Sequence, residues 1–361
     1  MNNIYLNKLV NILNERKVDA MLIAPSEEME FILGHTTHIC ERFQALVIKN
    51  TGDYFYICNM LTYDEIKSLG NIKVYGWYDG DGYMETAKKA FEENGLIGKT
   101  IGVNSTERAF IILDIMKNMD IKFINGKPLL EDMRIIKSEE EIANIKIACK
   151  ITDETFDEVV KFVKPGMKEL DIVNFMKSEF AKRNADFGFA IIASGPNAAL
   201  PHYNGCDRVI QKHEPLLLDF GCIYNGMCSD MTRTIFIDEP TEEHKKMYEF
   251  VKRSTIAGDE KAVDGAFIPD VDKTARDIID ESGYGKTFVT RLGHGIGYSI
   301  HEAPDIKQSN PRHLEPGMIF SIEPGIYRVN EFGIRIEDLV LVTKGGNEVL
   351  YTTTKEMVVV K

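Results

Sequence analysis

Leu216-Leu217-Leu218-Asp219-Phe220-Gly221-Cys222-Ile223-Tyr224-Asn225-Gly226-Met227-Cys228-Ser229-Asp230-Met231-Thr232-Arg233-Thr234 is the stretch on which the reading turns. Asn225-Gly226 between two apolar runs is a strong hairpin signal, because both central residues of a tight type I′ turn need positive φ. A two-residue turn there pairs Tyr224 with Met227 and Gly221 with Asp230. Side chains alternate along a strand, so Asp219, two residues before Gly221, shares a face with Asp230. Two carboxylates become diagonal neighbours on adjacent strands. Asp219 also interrupts an apolar strand, where an unpaired charge is costly. A lone aspartate in such a strand reads as a loop-end residue or half of an ion pair. Two on one face, beside the small Gly221 and Ser229, favour a cation between them. Arg233 is the alternative cation, but its odd offset from Asp230 sends it to the other face.

Three further stretches downstream carry the same kind of signal. In Leu292-Gly293-His294-Gly295-Ile296-Gly297-Tyr298-Ser299-Ile300-His301-Glu302-Ala303-Pro304, three glycines crowd His294. Their lack of Cβ lets backbone or ligand approach, and a histidine left exposed in this way suits metal ligation or proton transfer. A glycine-rich turn with a surface histidine is the plainer alternative. A dinucleotide site is set aside, since no helix and no acidic partner follow. Ile319-Phe320-Ser321-Ile322-Glu323-Pro324-Gly325-Ile326-Tyr327 and Gly333-Ile334-Arg335-Ile336-Glu337-Asp338 each place a glutamate in or at the end of an apolar strand. Arg335 and Glu337 share a face, which a structural ion pair would also explain. Taken together, the carboxylates of Asp219, Asp230, Glu323 and Glu337 and the imidazole of His294 need compensating charge. Two divalent cations supply it. Carboxylate-rich ligation with one imidazole and no thiolate suits Mn²⁺, Fe²⁺, Co²⁺ or Zn²⁺ in a hydrolytic two-metal site.

The chain around these stretches has 361 residues, a length for which two domains are the prior. Its 44% hydrophobic and 27% charged residues are those of a globular protein. With 43 basic and 56 acidic residues the net charge is −13, which argues against nucleic acid or anionic membrane as the main partner. The 6 cysteines form no C-x-x-C and read as reduced thiols of a cytoplasmic protein. The N-terminal Ile4, Leu6, Leu9, Val10, Ile12 and Leu13 alternate with polar residues as in an amphipathic helix, not a signal peptide, and no run is long enough to span a membrane. Alternating helix and strand patterns over the first part of the chain predict an α/β domain at 1–130. Ser138-Glu139-Glu140-Glu141 then opens a long helix with a capping box, and Lys164-Pro165-Gly166 closes it near Phe162. A second helix is expected from Glu169 to Lys182, then mostly strands interrupted by helices near 241–262 and 269–282. The second domain is thus 131–361, α+β, and holds every informative residue.

At these residues the chain resembles the pita-bread metallopeptidases, which include Xaa-Pro dipeptidase (prolidase), aminopeptidase P, methionine aminopeptidase and creatinase. IKSEEEI, ASGPNAALPHY, LLLDFG, SDMTRT, GHGIG, HEAP, SIEPGIY and GIRIED occur in family order over 135–361. Over 1–130 only the α/β type and position match, as a creatinase N-terminal-like domain. The resemblance implies metal ligands at Asp219, Asp230, His294, Glu323 and Glu337, with Asp230 and Glu337 bridging two ions. It implies substrate-side histidines at His202 and His301, and supporting residues at Tyr327 and Arg335. The leading domain and the GIRIED stretch speak against a methionine aminopeptidase, and the complete ligand set against creatinase.

The activity this resemblance implies is metal-dependent hydrolysis of the bond preceding proline, by a hydroxide generated between two ions, Mn²⁺ ahead of Co²⁺, Zn²⁺ or Fe²⁺. No other cofactor is expected. Glu323 would be general base, His301 would stabilise the oxyanion, and His202 would hold the proline side. Arg335 would either hold a ligand or pair with the substrate carboxylate. An Xaa-Pro dipeptide is the expected substrate. The alternatives are an aminopeptidase P acting on longer Xaa-Pro peptides and, in another class, a binding module that has lost catalysis. Phe187, Phe189 and Tyr203 are candidate walls for the pyrrolidine ring, with core packing as the preferred reading. His213, His244 and His313 read as surface residues. Relatives of this architecture are commonly dimers, so a cytoplasmic homodimer is expected, and the polar cluster His35, His38, Glu41 and Arg42 is a candidate for tuning substrate length or charge.

Overall fold

The computed structural model describes residues 1–35 and 39–361. It divides into two compact units, Met1–Arg134 and Ile135–Lys361. The first is built on a six-stranded sheet in the order Lys73–Trp77, Tyr54–Asn59, Ala45–Lys49, Ala20–Ile23, Thr100–Val103, Lys122–Asn125. Ala45–Lys49 pairs antiparallel with both of its neighbours, and the other pairings of this sheet are parallel. Helices cover both faces. Leu9, Leu13, Met29, Ile66 and Leu130 pack on one, and Ala87, Phe91, Ile111 and Ile115 on the other.

Helices Glu27–Leu33, Met60–Ser68 and Lys127–Arg134 and the strand Lys73–Trp77 were not anticipated from the sequence. One reason is visible at Asn59, the last residue of its strand. Its side chain accepts from Leu61 N–H at 3.0 Å and so caps the next helix directly. No turn-forming cluster separates the two elements. Arg42 grips Asp79 through Nε at 2.9 Å and Nη2 at 2.8 Å, and His35 meets Glu65 at 3.0 Å. His38, the remaining histidine of that cluster, lies outside the described residues.

The second unit opens with the expected capping box: Ser138 N–H donates to Glu141 Oε2 at 2.8 Å, and Glu141 N–H donates to Ser138 Oγ at 3.3 Å. The helix runs Glu139–Phe162 and is followed by Glu169–Lys182. One sheet orders Val359–Val360, Met231–Ile237, Glu214–Tyr224 and Asp186–Ser194, with Met227–Cys228 paired at its side. A second orders Glu302–Ile306, Gly293–Gly295, Ile319–Ile322, Asp338–Thr343 and Gly346–Val349, and a ribbon pairs Gly325–Arg328 with Phe332–Arg335. Helices Glu242–Lys261 and Ile268–Glu281 bury Met247, Val251, Ala275 and Ile279 against Phe320, Ile322, Ile334 and Val340.

His213 and His313 are exposed, but His244 is not. Only 9% exposed, it lies 5.5 Å from the Phe236 ring and 4.7 Å from that of Phe332. The polar flanks of His244 belong to a helix start. His244 N–H donates to Thr241 Oγ1 at 3.1 Å, and the helix turns the ring inward. Cys222 and Cys228 are free thiols, as are the other four. Among the described residues no helix is long and apolar enough to cross a membrane.

Candidate active site

The turn forms as its residues require. Asn225 and Gly226 take φ of 48° and 77°, and Tyr224 pairs with Met227. Beyond it the ladder sets Asp219 directly opposite Thr232 and Met231 opposite Phe220. This register carries Asp230 to the diagonal position beside Asp219, on one face. Arg233 points the other way, as its offset required. Its guanidinium donates to Asp338 Oδ1 at 2.7 Å and to the Glu337 carbonyl at 2.6 Å.

His294 sits in the short strand Gly293–Gly295 and is 3% exposed, not laid open as its glycine neighbours suggested. The glycines serve close packing instead. A Cβ on Gly293 would collide with the Ser321 carbonyl, and one on Gly295 with that of Ala303. Ser321 Oγ then accepts from His294 N–H at 3.0 Å. Nδ1 of the ring lies 3.1 Å from the Gly295 carbonyl. A carbonyl can only accept, so this contact assigns the ring proton to Nδ1 and turns the Nε2 lone pair toward the carboxylates. Nε2 is 3.4 Å from Glu323 Oε1 and 3.6 Å from Asp230 Oδ2. Burial, then the neighbouring His301, pushes the His294 pKa down to about 3, so its ring brings no positive charge to these acids.

The acids themselves are crowded. Asp219, Asp230 and Glu337 are 7%, 3% and 1% exposed. Burial first, and then the neighbouring carboxylates, raise Asp230 and Glu337 well above the ordinary carboxylate range, and burial brings Glu323 to about 7. The cation facing them is Arg335, whose Nη2 donates to Asp219 Oδ2 at 2.5 Å. Its Nη1 donates to Tyr327 Oη at 2.9 Å and its Nε to Thr232 Oγ1 at 3.0 Å. Thr232 in turn donates to Glu337 Oε2 at 2.6 Å. Through each of its three nitrogens Arg335 thus braces the acidic face, directly at Asp219 and through Thr232 at Glu337. Oδ1 of Asp219, Oδ1 of Asp230 and Oε1 of Glu337 are buried with no hydrogen-bond partner. Asp230, His294 and Glu337 offer ligand atoms within 4.8 Å of one another, close enough to hold a metal ion.

These residues line a cavity of about 1020 Å³. Asp219, Asp230, His294, Glu323 and Glu337, together with His202, His301, Tyr327 and Arg335, all border it. The rings of His301 and His294 meet edge-on at 4.2 Å. Phe187, Phe189 and Tyr203 also line the cavity and are half-buried, while Tyr203 packs against the core of Ala193, Ala198 and Leu217 and Phe187 lies 6.5 Å from the buried Phe180 ring, so both readings from sequence are met in part. Tyr203 is fixed by donating to Glu169 Oε2 at 3.0 Å.

Sequence reasoning missed Thr232, although its even offset from Asp230 places it on the acidic face. It also missed Arg291 and Lys307, which share Asp305 at 2.7 and 2.6 Å and leave that wall one positive charge in excess.

Residues 143–344 match the model of metallopeptidase family M24, and residues 6–136 that of the creatinase/prolidase N-terminal domain. An uncharacterized peptidase of Staphylococcus epidermidis is 33% identical over 348 residues, 96% of this chain and 98% of its own. The crystal structure of a prolidase from Thermococcus sibiricus superposes with a TM-score of 0.91 at 30% identity, covering 99% of this chain and 98% of that one. An X-Pro aminopeptidase from Thermotoga maritima gives 0.82 at 30% identity, covering 98% and 99%.

Proposed function

The chain belongs to metallopeptidase family M24, with a creatinase/prolidase N-terminal domain ahead of a pita-bread catalytic domain, and from that premise we propose that it hydrolyses the peptide bond preceding proline in Xaa-Pro dipeptides. The observation that carries this reading is the trio of partnerless buried oxygens on Asp219, Asp230 and Glu337, residues that border one cavity with His294. Buried acceptors without a donor are costly, and a donor set of carboxylates and one imidazole with no thiolate fits divalent Mn, Co, Zn or Fe. Asp219, Asp230, His294, Glu323 and Glu337 would hold two such ions, Mn²⁺ first. When bound, the ions supply a water acidified to near neutrality and Lewis-acid polarisation of the scissile carbonyl.

The side chains have separate tasks. Glu323, on the cavity wall, takes the proton from the attacking water and returns it to the leaving proline nitrogen. His301, beside His294, donates to the oxygen on which charge develops. His202 holds the proline side. The Xaa-Pro amide has no N–H to recognise, so affinity for the ring falls to apolar contact with Phe187, Phe189 and Tyr203. Arg335 and Tyr327 keep Asp219 oriented.

The wall of Arg291 and Lys307 attracts a carboxylate on the substrate. Arg291→Ala should raise KM about tenfold, equivalent to about 1.4 kcal/mol, with kcat little changed. Steady-state kinetics on Xaa-Pro dipeptides and their C-terminal amides separates the two parameters. A KM no different from that of the parent protein removes this role.

The function itself is tested by assaying the Mn²⁺-supplemented protein on matched Xaa-Pro dipeptides and Xaa-Pro tripeptides. Cleavage of dipeptides in preference is the expected result. Preference for tripeptides makes the protein an aminopeptidase P. Failure on both, with no chelator-sensitive hydrolysis, leaves the non-catalytic binding module.

A further inference from the structure

Asp230 lies between the strands Met227–Cys228 and Met231–Ile237, at a break in the ladder. Its backbone groups turn to a residue 121 positions away. Asp230 N–H donates to Tyr351 Oη at 2.9 Å, and the Tyr351 hydroxyl donates to the Asp230 carbonyl at 2.6 Å. One hydroxyl, on a side chain from a residue only 7% exposed, thus satisfies both polar groups of the residue whose carboxylate enters the site.

The segment that carries Tyr351 is itself tied down. Asp153 accepts from Thr352 N–H at 2.8 Å, Thr352 Oγ1 at 2.7 Å and Thr353 N–H at 3.0 Å. Arg233, 1% exposed, donates to the carbonyls of Thr353 and Thr354 at 3.0 Å each. The same guanidinium holds the carbonyl of Glu337. The chain at 351–354 is therefore a rigid backing behind two of the acids, Asp230 and Glu337.

We propose that Tyr351 is a positioning residue for the metal-ligating carboxylate of Asp230, fixing the backbone from which that carboxylate projects. The inference rests on the proposed role of Asp230 as a ligand. A ligand must be held to about half an ångström, and Asp230 lacks the strand pairing that would do so. Hydrogen bonds from neighbouring groups take over that task in metal sites generally.

Tyr351→Phe removes the hydroxyl and little else. Tyr248→Phe is the matched control: Tyr248 is 3% exposed and donates to the carbonyls of Lys355 and Glu356 at 3.1 and 3.2 Å, anchoring the same segment without touching a ligand. The full chain, stripped with a chelator and dialysed, is titrated with Mn²⁺ by calorimetry and with Co²⁺ by visible absorption. Y351F should bind Mn²⁺ roughly 10–100-fold more weakly than the parent and show an altered Co²⁺ spectrum. Y248F should lose thermal stability but keep the parent's affinity. Equal affinity in Y351F and parent overturns the proposal, and so does an equal loss in both variants. A parent that binds neither ion overturns the ligand reading instead. If Y351F does not fold, Asp153→Asn, which loosens the same segment from its other end, is read by the same titration: weakened binding supports the proposal and parental binding overturns it.

Discussion

Glu323→Gln is expected to lower kcat on an Xaa-Pro dipeptide by about 10²–10⁴-fold, the range set by losing a positioned proton carrier. The substitution preserves size and leaves an oxygen to accept from Ser321 Oγ, which now lies 3.2 Å from Glu323 Oε1. It also removes one of the neighbouring charges that raise Asp230 and Glu337. The fold should therefore be retained, and the metal-free protein should melt no lower than the parent. Because Glu323 is also a proposed ligand, metal content is measured on the same preparation. Loss of activity at full metal occupancy assigns the proton transfer. Loss that excess Mn²⁺ restores assigns ligation alone. Activity within about tenfold of the parent would falsify both roles.

Removing the metal should abolish hydrolysis and lower Tm, by an amount that grows with pH. Burial, and then repulsion from neighbouring carboxylates, raise Asp230 and Glu337 above their ordinary values of 3.8 and 4.5, and burial raises Glu323 to about 7. A carboxyl raised in the folded state binds its proton more tightly there than in the unfolded chain. Its contribution to stability is thus fully present below the unfolded pKa and is lost as pH rises through the folded one. In the stripped protein, stability should fall progressively from about pH 4 to beyond pH 7 on this account. Bound cations hold the same groups deprotonated at no such cost, so the slope should vanish in the loaded protein. At a metal concentration about 100 times Kd the stabilisation is about 2.7 kcal/mol, or about 5–10 °C for a domain of this size. Calorimetric scans of loaded and stripped protein across that pH range measure the gap. A gap that stays constant or narrows as pH rises would show that these carboxylates are not its source.

The local part of this site was legible because its causes are local. Asn225-Gly226 dictates the turn, the turn dictates the register, and the register puts Asp219 and Asp230 on one face. Ser138 and Glu141 likewise announce their helix within four residues. Where an element begins without a separate turn, as at Asn59, the same reasoning failed. It failed too at His244, whose polar neighbours mark a helix cap while the ring itself packs between two phenylalanines.

The identity of the aromatic walls could not be read either. Phe187 and Phe189 have the composition of a core strand, and only the loop bearing Tyr203 and the strand bearing Asp219 make that face the side of a cavity. Sequence by itself determined the residue types, the alternation that points each acid to one side, and through the motif order the family. Tertiary structure alone decided what those acids meet. Thr232 reaches Glu337 across 105 residues, Arg335 reaches Asp219 across 116, and Tyr351 reaches Asp230 across 121. The pattern of a strand is set by its own alternation, whereas the partner of a buried charge is set by which distant strand packs against it.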